Sequence, residues 1–261
     1  MKIFAISDIH SFMLPMITAL NEKGFEPNNP EHLLVVCGDL FDRGPDTIKL
    51  IEYINNLTNV VLVRGNHEDL MVQMVYRGYA ETHDVSNGTL RTANDILLAY
   101  ENEVDERSSF NPFKTVRDHL WPIFNRMVNY FETKNYVFVH GWIPLKCEDD
   151  LPAYYQNKRK LSFDPDWRHG NWDQARWLNG MRMANNGFII PDKTIVCGHW
   201  HCSYGHMMDS ISTAVWRTEF EEDAIWEPYY ANGIIAIDRC TAYTNECNVI
   251  VLEDDLLEDN K

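Results

Sequence analysis

Residues 37–44 read Cys37-Gly38-Asp39-Leu40-Phe41-Asp42-Arg43-Gly44 and follow the apolar run 33–36. Such a run is typical of a buried strand, and Gly38 lets the chain turn so that two carboxylates and a guanidinium leave the strand end. An unpaired buried carboxylate is costly, and a metal ion is one of the few partners that removes this cost. A local Asp-Arg salt bridge explains the stretch equally well when it is considered alone.

Four other apolar runs, residues 2–7, 60–63, 136–139 and 194–197, end in the same kinds of residue. In chain order, the motifs that follow them are Asp8-Ile9-His10, Gly65-Asn66-His67-Glu68, His140-Gly141 and Gly198-His199-Trp200-His201. A single histidine at a strand end is more often a hydrogen-bonded turn residue than a ligand. Because ligands gather at the carboxyl ends of such strands, five ends rich in Asp, Asn and His together predict a metal site.

Taken in order, the five motifs resemble those of the calcineurin-like metallophosphoesterases. Asp42-Arg43-Gly44 and Asn66-His67-Glu68 are similar to the serine/threonine phosphoprotein phosphatase branch, with its small phage and bacterial members and the related symmetrical diadenosine tetraphosphate hydrolases. The resemblance spans roughly residues 3–252. It implies two mixed β-sheets packed face to face as a sandwich and flanked by helices, whereas periodicity alone indicates only an α/β class.

The resemblance also implies two divalent metal ions bridged by Asp39. The implied ligands are Asp8, His10 and Asp39 for the first metal, and Asp39, Asn66, His140 and His199 for the second. A second histidine after Gly-His departs from the phosphatase branch and is a feature of other branches, many of them diesterases, so His201 is included as a predicted ligand of the first metal. An Asp, Asn and His set without a thiolate suits Mn²⁺, Fe or Zn²⁺ better than Ca²⁺, and we expect manganese or an iron-containing pair.

By the same resemblance, His67 held by Asp42 is the predicted proton donor, and Arg43 grips a phosphate oxygen with its planar fork. Asn66 and Arg176 are predicted to contact the substrate. Gln174 occupies the position where the branch places its second arginine, so a structural salt bridge is the alternative role for Arg176. No side-chain nucleophile is required, and we expect direct attack by a metal-bound hydroxide.

Three functions follow from these motifs. The leading one is a phosphatase acting on phosphorylated protein, favoured by the Asp-Arg-Gly and Asn-His-Glu forms. The alternative is a hydrolase of dinucleoside polyphosphates or of phosphodiesters, favoured by His201 and by the aromatic residues that follow His140, among them Tyr154 and Tyr155. A remote third is a non-catalytic metal-bound scaffold, in which His67 and Arg43 would serve no purpose.

Apolar spacing predicts helices over residues 13–23, 46–56, 92–100 and 110–130, with another that starts within 67–77. Residues 233–238 and 248–252 predict two strands joined as a hairpin through a turn at Thr244-Asn245. Because the ligand motifs run from residue 8 to residue 201, we expect one domain over residues 1–261. Residues 78–135 carry no predicted ligand and are assigned to a helical cap or cleft wall, and residues 253–261 to an acidic tail.

The composition limits the partners. A hydrophobic content of 45% with 8 Trp, 12 Tyr and 12 Phe is ample for a large core, and no stretch approaches the length of a membrane span. The net charge of −16 argues against non-specific nucleic-acid binding. Six scattered cysteines and a ligand strand that begins at residue 2, without room for a signal peptide, predict a reducing cytoplasmic setting.

Overall fold

The computed structural model describes residues 1–100, 111–147, 160–211 and 217–257; Tyr154, Tyr155 and the tail beyond residue 257 lie outside this part. Its strands are β1 (Lys2–Ile6), β2 (His32–Cys37), β3 (Val60–Val63), β4 (Phe131–Glu132), β5 (Tyr136–Phe138), β6 (Leu145–Cys147), β7 (Leu161–Phe163), β8 (Thr194–Cys197), β9 (Tyr229–Ala231), β10 (Ile234–Ala236) and β11 (Ile250–Glu253). Its α-helices are α1 (Met13–Glu22), α2 (Thr47–Asn56), α3 (Asn66–Arg77), α4 (Thr82–Asn87), α5 (Thr89–Ala99), α6 (Pro112–Phe124), α7 (Trp172–Ala175), α8 (Gly180–Asn185), α9 (Cys202–Ile211) and α10 (Thr241–Thr244).

The strands form two mixed sheets. In the first sheet the order is β11-β1-β2-β3, with β1, β2 and β3 parallel and β11 antiparallel to β1. In the second sheet the order is β4-β5-β8-β10-β9, with β5, β8 and β10 parallel and the two edge strands antiparallel. Strands β6 and β7 form a separate ribbon.

Alternate side chains of the central strands point to different layers, as the period of an extended chain requires. In β1, Ile3 and Ala5 join a cluster contributed by both sheets, whereas Phe4 and Ile6 join the cluster that packs under the helices. In β8, Val196 belongs to the shared layer. The two sheets therefore pack face to face with helices outside, and the predicted sandwich is confirmed.

Two helices of residues 78–135, α5 and α6, share the core of the first sheet. Ile96 of α5 and Val116 and Leu120 of α6 are fully buried in the cluster that also holds Phe4 and Leu34. Helices α5 and α6 therefore pack over the outer face of this sheet rather than on a core of their own.

The predicted C-terminal hairpin is wrong. Strand β10 lies in the second sheet beside β8, whereas β11 lies in the first sheet, where Leu252 pairs with Ile3. Helix α10 occupies the connection between them. The apolar pattern identified both strands, but it carries no information on which sheet each one would join.

Among the described helices, none is long and apolar enough to cross a bilayer.

Candidate metal centre and active site

Loops at the carboxyl ends of parallel strands bring most of the predicted ligands together. Asp8 and His10 follow β1, Asp39 follows β2, Asn66 opens α3 after β3, His140 follows β5, and His199 follows β8. All are buried except His199, which is partly exposed. Both sheets therefore supply ligands to one region, because their parallel strands end at the same edge of the sandwich.

The backbone at this edge is strained. A left-handed backbone is uncommon for residues other than glycine, and such strain clusters at functional sites. It occurs here at Asp8 (φ 50°), His10 (φ 50°), Asp39 (φ 52°), Asp42 (φ 76°), Arg43 (φ 61°) and His199 (φ 68°).

Two glycines allow the close approach of these loops. A Cβ atom at Gly65 would collide with the Asp39 carboxylate, and one at Gly198 would collide with the Asp8 carboxylate. Any side chain at either position would displace a predicted metal ligand.

Asp39 lies at the centre of two ligand groups. The ligand atoms of Asp39, His10 and His67 lie within 4.8 Å of one another, and the same holds for Asp39, His140 and His199. One carboxylate shared by two groups is the arrangement that a dinuclear centre requires. His67, predicted as a proton donor, is itself a member of the first group.

Backbone carbonyls orient three of the histidine rings. His10 Nδ1 donates to the Phe41 carbonyl (2.9 Å), His140 Nδ1 to the Cys37 carbonyl (2.8 Å), and the ring of His199 to the Trp177 carbonyl. A carbonyl only accepts, so the bonded nitrogen carries the proton and the other nitrogen keeps a lone pair that can bind a metal. At His10 this lone pair accepts from Arg43 Nη1 (2.9 Å), a hydrogen bond that a metal ion would replace. Burial lowers the pKa of all three rings, to about 3 for His199, which keeps them neutral.

The second group fits a cation for a specific reason. His140 Nε2 lies 2.8 Å from Asn66 Oδ1 and 3.3 Å from Asp39 Oδ1. With the ring neutral and its proton on Nδ1, three electron-pair donors converge without a proton between them. A divalent ion satisfies such a set, and its nitrogen and oxygen composition suits Mn²⁺, Fe or Zn²⁺.

Asp8 lies against this centre but in neither compact group. Its Oδ2 accepts the backbone N–H of His199 (3.0 Å). Burial, together with the charges of Asp238 and Asp39, raises the pKa of Asp8 well above its ordinary value. Several buried carboxylates close together are what a bound cation would stabilise.

Asp238 is a neighbour of the site that the sequence interpretation missed. It follows β10, and burial raises its pKa to about 7. The signal was available, because Asp238 ends an apolar run just as Asp8 and Asp39 do. A hairpin, which the sequence predicts for this run, gives no indication that its strand end lies beside the other ligands.

His67 and Asp42 form a buried pair. His67 Nδ1 donates to Asp42 Oδ2 at 2.7 Å. Burial lowers the pKa of His67, but the charges of Asp39 and Asp42 outweigh it and leave the pKa raised. The exposed Arg43 donates from Nη2 to His67 Nε2 (3.1 Å) and from Nη1 to His10 Nε2 (2.9 Å), so its guanidinium lies at the mouth of the site.

Glu68 anchors the loop that carries Asp39. Its carboxylate accepts the backbone N–H groups of Asp39 (3.1 Å), Leu40 (2.9 Å) and Gly65 (2.7 Å). Burial raises its pKa to about 7. Strand-end periodicity gives no sign of this role, because Glu68 binds the backbone rather than a ligand.

The structure does not bring His201 to either ligand group. Its Nδ1 lies 2.8 Å from Ser203 Oγ, and its Nε2 lies 3.1 Å from a Glu219 carboxylate oxygen. The ring also packs against Phe220, with centroids 4.7 Å apart. Both nitrogens are engaged away from Asp39, so the predicted ligand set is corrected to exclude His201.

Arg176 is held by acceptors within the protein. Its guanidinium donates to Asp69 (2.6 Å), Asn129 (3.0 Å) and Asp173 (2.5 Å), and its side chain is only 5% exposed. This arrangement corresponds to the structural salt bridge considered as the alternative to substrate contact.

Comparison with known proteins agrees with the geometry. The family model for calcineurin-like phosphoesterases matches residues 1–203. A symmetrical bis(5'-nucleosyl)-tetraphosphatase of Aromatoleum aromaticum is 30% identical over 229 residues, covering 77% of this chain and 83% of that protein. A protein of the same name from Buchnera aphidicola is 38% identical over 160 residues; that match covers 59% of this chain and only half of the relative.

A solved structure shows the same fold. The cold-active protein-tyrosine phosphatase of a psychrophilic Shewanella superposes with a TM-score of 0.53, at 16% identity, over 97% of this chain and 75% of that one. Enzymes of the matched family depend on a dinuclear metal centre, and the two groups that share Asp39 are the candidate centre here. The chain belongs to the calcineurin-like phosphoesterase family and is a phosphoester hydrolase.

Proposed function

We propose that this protein cleaves dinucleoside tetraphosphates symmetrically, by a metal-dependent hydrolysis. The observation that carries the proposal is the extended match to the Aromatoleum tetraphosphatase, which covers most of both chains. This favours the alternative drawn from the motifs over protein dephosphorylation. His201 as a ligand was one argument for that alternative, in its dinucleoside polyphosphate and phosphodiester forms alike, and its contacts with Ser203 and Glu219 remove this argument, so the proposal is supported by the match to the tetraphosphatase.

Symmetrical cleavage breaks the bond between a central phosphorus and the oxygen that links the two middle phosphates. The oxygen of water forms the new bond to phosphorus, and the linking oxygen leaves with a proton. Two nucleoside diphosphates result. Such a reaction needs cations or arginine against the phosphate oxygens and a proton donor at the leaving oxygen.

The residues proposed to hold the metals are Asp8, His10, Asp39, Asn66, His140 and His199. Two bound divalent ions of this kind, manganese being our proposal, neutralise phosphate charge and lower the pKa of water. The orientation of the His10 and His140 rings by carbonyls of Phe41 and Cys37 supports these assignments, because the lone pairs are set before any metal arrives.

Arg43 and His67 are assigned to the substrate itself. The exposed guanidinium of Arg43 suits a phosphate, since its planar fork makes two parallel hydrogen bonds. His67 keeps its Nδ1 proton on Asp42 and presents Nε2 beside Arg43. In this structure Nε2 accepts from Arg43. Once a phosphate engages the guanidinium, this ring, with its pKa raised by Asp39 and Asp42, can carry a proton on Nε2 and supply it to the leaving oxygen.

Protein dephosphorylation remains the second candidate function. The Asp42-Arg43-Gly44 and Asn66-His67-Glu68 forms favour it, since they resemble the phosphoprotein phosphatase branch. Both reactions use the same metals, arginine and proton donor, and they differ in what lies beyond the phosphate. Substrate preference therefore distinguishes tetraphosphate hydrolysis from protein dephosphorylation.

The test compares four substrates on manganese-loaded protein: diadenosine tetraphosphate, a phosphoserine peptide, bis-(4-nitrophenyl) phosphate and 4-nitrophenyl phosphate. We expect the highest kcat/KM on diadenosine tetraphosphate, with ADP as the only nucleotide product. A higher kcat/KM on the peptide, or a mixture of AMP and ATP as products, would refute the proposal. Failure on all four substrates would support the scaffold instead.

A further inference from the structure

The carboxylate of Asp42 is held by a helix outside the motif that contains it. Thr89 Oγ1 donates to Asp42 Oδ2 at 2.9 Å, and Thr92 Oγ1 donates to Asp42 Oδ1 at 2.9 Å. Thr92 Oγ1 also accepts the backbone N–H of Asp42 at 3.0 Å. Both threonines are almost completely buried, so water does not replace these bonds.

Helix α5 is built to deliver these hydroxyls. Thr89 is its first residue, and Thr92 lies on the same face one turn later. Gly88 precedes them with φ 87°, and a Cβ atom there would clash with the backbone nitrogen of Arg43. Arg91 Nη1 also donates to the Arg43 carbonyl (3.0 Å). The start of α5 is therefore fitted closely to the strained Asp42-Arg43 turn.

These contacts determine which way Asp42 faces. The terminal torsion of an aspartate has only a broad, roughly two-fold preference, so hydrogen bonds to both oxygens are what fix the plane of its carboxylate. Here Oδ2 accepts from both Thr89 and His67, while Oδ1 accepts from Thr92. With both hydroxyls in place, the carboxylate plane is fixed towards His67 Nδ1, and the opposite nitrogen of that ring is aimed at the mouth of the site.

We propose that Thr89 and Thr92 are positioning residues that align the proton donor His67 through Asp42. The inference rests on the proposed role of His67 in protonating the leaving oxygen. It extends the site to two residues of α5 whose side chains hydrogen-bond to Asp42 rather than to a proposed metal ligand. Misalignment of a proton donor lowers kcat most for substrates with a poor leaving group, because such a group must be protonated as it departs.

The test measures kcat for phenyl phosphate, whose leaving group is poor, and for 4-nitrophenyl phosphate, whose leaving group is good. For Thr89→Val and Thr92→Val we expect about a tenfold loss of kcat on phenyl phosphate and a clearly smaller loss on 4-nitrophenyl phosphate, at unchanged metal content. The serine variants T89S and T92S keep the hydroxyl and should restore the wild-type ratio. Thr133→Val is the control, because it removes a buried hydroxyl that bonds Asp254 (2.6 Å) far from the site.

Equal losses on both substrates in the valine variants would overturn the proposal, as would serine variants that behave like valine. If the valine variants do not fold, T89S and T92S still test the proposal. A changed ratio of kcat on the two substrates in a serine variant with the wild-type melting temperature would contradict positioning by the hydroxyl. His67→Asn distinguishes a failure of the role proposed for His67 from a failure of the role proposed for the two threonines. If it shows no bias between the substrates, the role of His67 fails and the role of the threonines fails with it, whereas a bias in His67→Asn alone rejects only the threonines.

Discussion

Asp8 and Asp39 are both buried at neighbouring strand ends, and the charge of Asp39 adds to burial and to Asp238 in raising the pKa of Asp8. The protein thus places carboxylates where they repel one another. Such a cluster is unfavourable by itself and becomes favourable when cations bind between its members.

The stability of metal-free protein should therefore depend on pH. Burial raises the pKa of Glu68 and of Asp238 to about 7, so the folded state holds protons that the unfolded state has already lost. As pH rises from about 7 to 8.5, these protons leave and the free energy of unfolding falls. The raised pKa values of Asp8 and His67 act in the same direction. The lowered pKa values of His10, His140, His199 and His201 act in the opposite direction, because unfolded histidines are half protonated at about pH 6.5, and this opposing effect fades as the pH rises.

Thermal unfolding of chelated protein at intervals across this range measures the effect. We expect the melting temperature to decrease with pH, and the slope to become smaller in Glu68→Gln but not in the exposed control Glu253→Gln. Saturating Mn²⁺ should remove most of the dependence. A melting temperature that is constant or rises with pH in the chelated protein would contradict the claim that ionised, mutually repelling carboxylates destabilise the metal-free protein.

Replacing His67 should separate turnover from metal binding. His67→Asn removes the proton donor but leaves the proposed ligands in place, so kcat should drop by about 10² to 10⁴ at unchanged metal content. The measurement is steady-state kinetics beside metal analysis. His169→Asn, at an exposed histidine paired with Asp166, is the control. Loss of metal in His67→Asn would indicate that this ring is a ligand, as its proximity to His10 and Asp39 allows.

Arg43→Lys should weaken substrate binding although it keeps the positive charge. Lysine cannot reproduce the two parallel hydrogen bonds of the guanidinium, and charge-assisted bonds of this kind correspond to about a 10- to 100-fold change in kcat/KM. Arg117→Lys, on the exposed surface of α6, should change nothing. Equal kcat/KM for Arg43→Lys and wild type would exclude a bidentate phosphate contact.

Arg176 should matter for stability rather than for binding. Arg176→Met removes the partner of Asn129 and of Asp69 Oδ2, while Asp69 Oδ1 keeps its ion pair with Arg64 (2.6 Å), and we expect a loss of about 2 kcal/mol in the free energy of unfolding. Urea denaturation measures it, and KM for diadenosine tetraphosphate should not change. An increased KM at wild-type stability would restore Arg176 as a substrate contact.

Local patterns were enough to predict the strand ends. The apolar runs before Asp8, Asp39, Asn66, His140 and His199 are short-range signals, and parallel strands bring their ends to one edge without further information. The two-sheet sandwich followed from the family resemblance, since periodicity indicates strands but not how they are divided between sheets.

The features that the sequence interpretation predicted wrongly or missed have a common physical cause. The ring of His201 turns to Glu219, the strand β11 pairs with β1, and Asp42 is held by Thr89 and Thr92 of α5. Each outcome depends on partners far along the chain or on a choice between several available acceptors. Residue type and spacing do not encode that choice.

The most direct test of the central claim is whether two metal ions share Asp39. Chelated protein is loaded with Mn²⁺, freed of excess metal, and examined for manganese content and for the electron paramagnetic resonance signal of coupled ions. We predict two manganese ions per chain with a coupled signal, and loss of both the coupling and at least one ion in Asp39→Asn but not in Asp118→Asn at the exposed surface of α6. A wild-type protein with a single uncoupled ion, or an Asp39→Asn protein with the wild-type signal, would contradict the account.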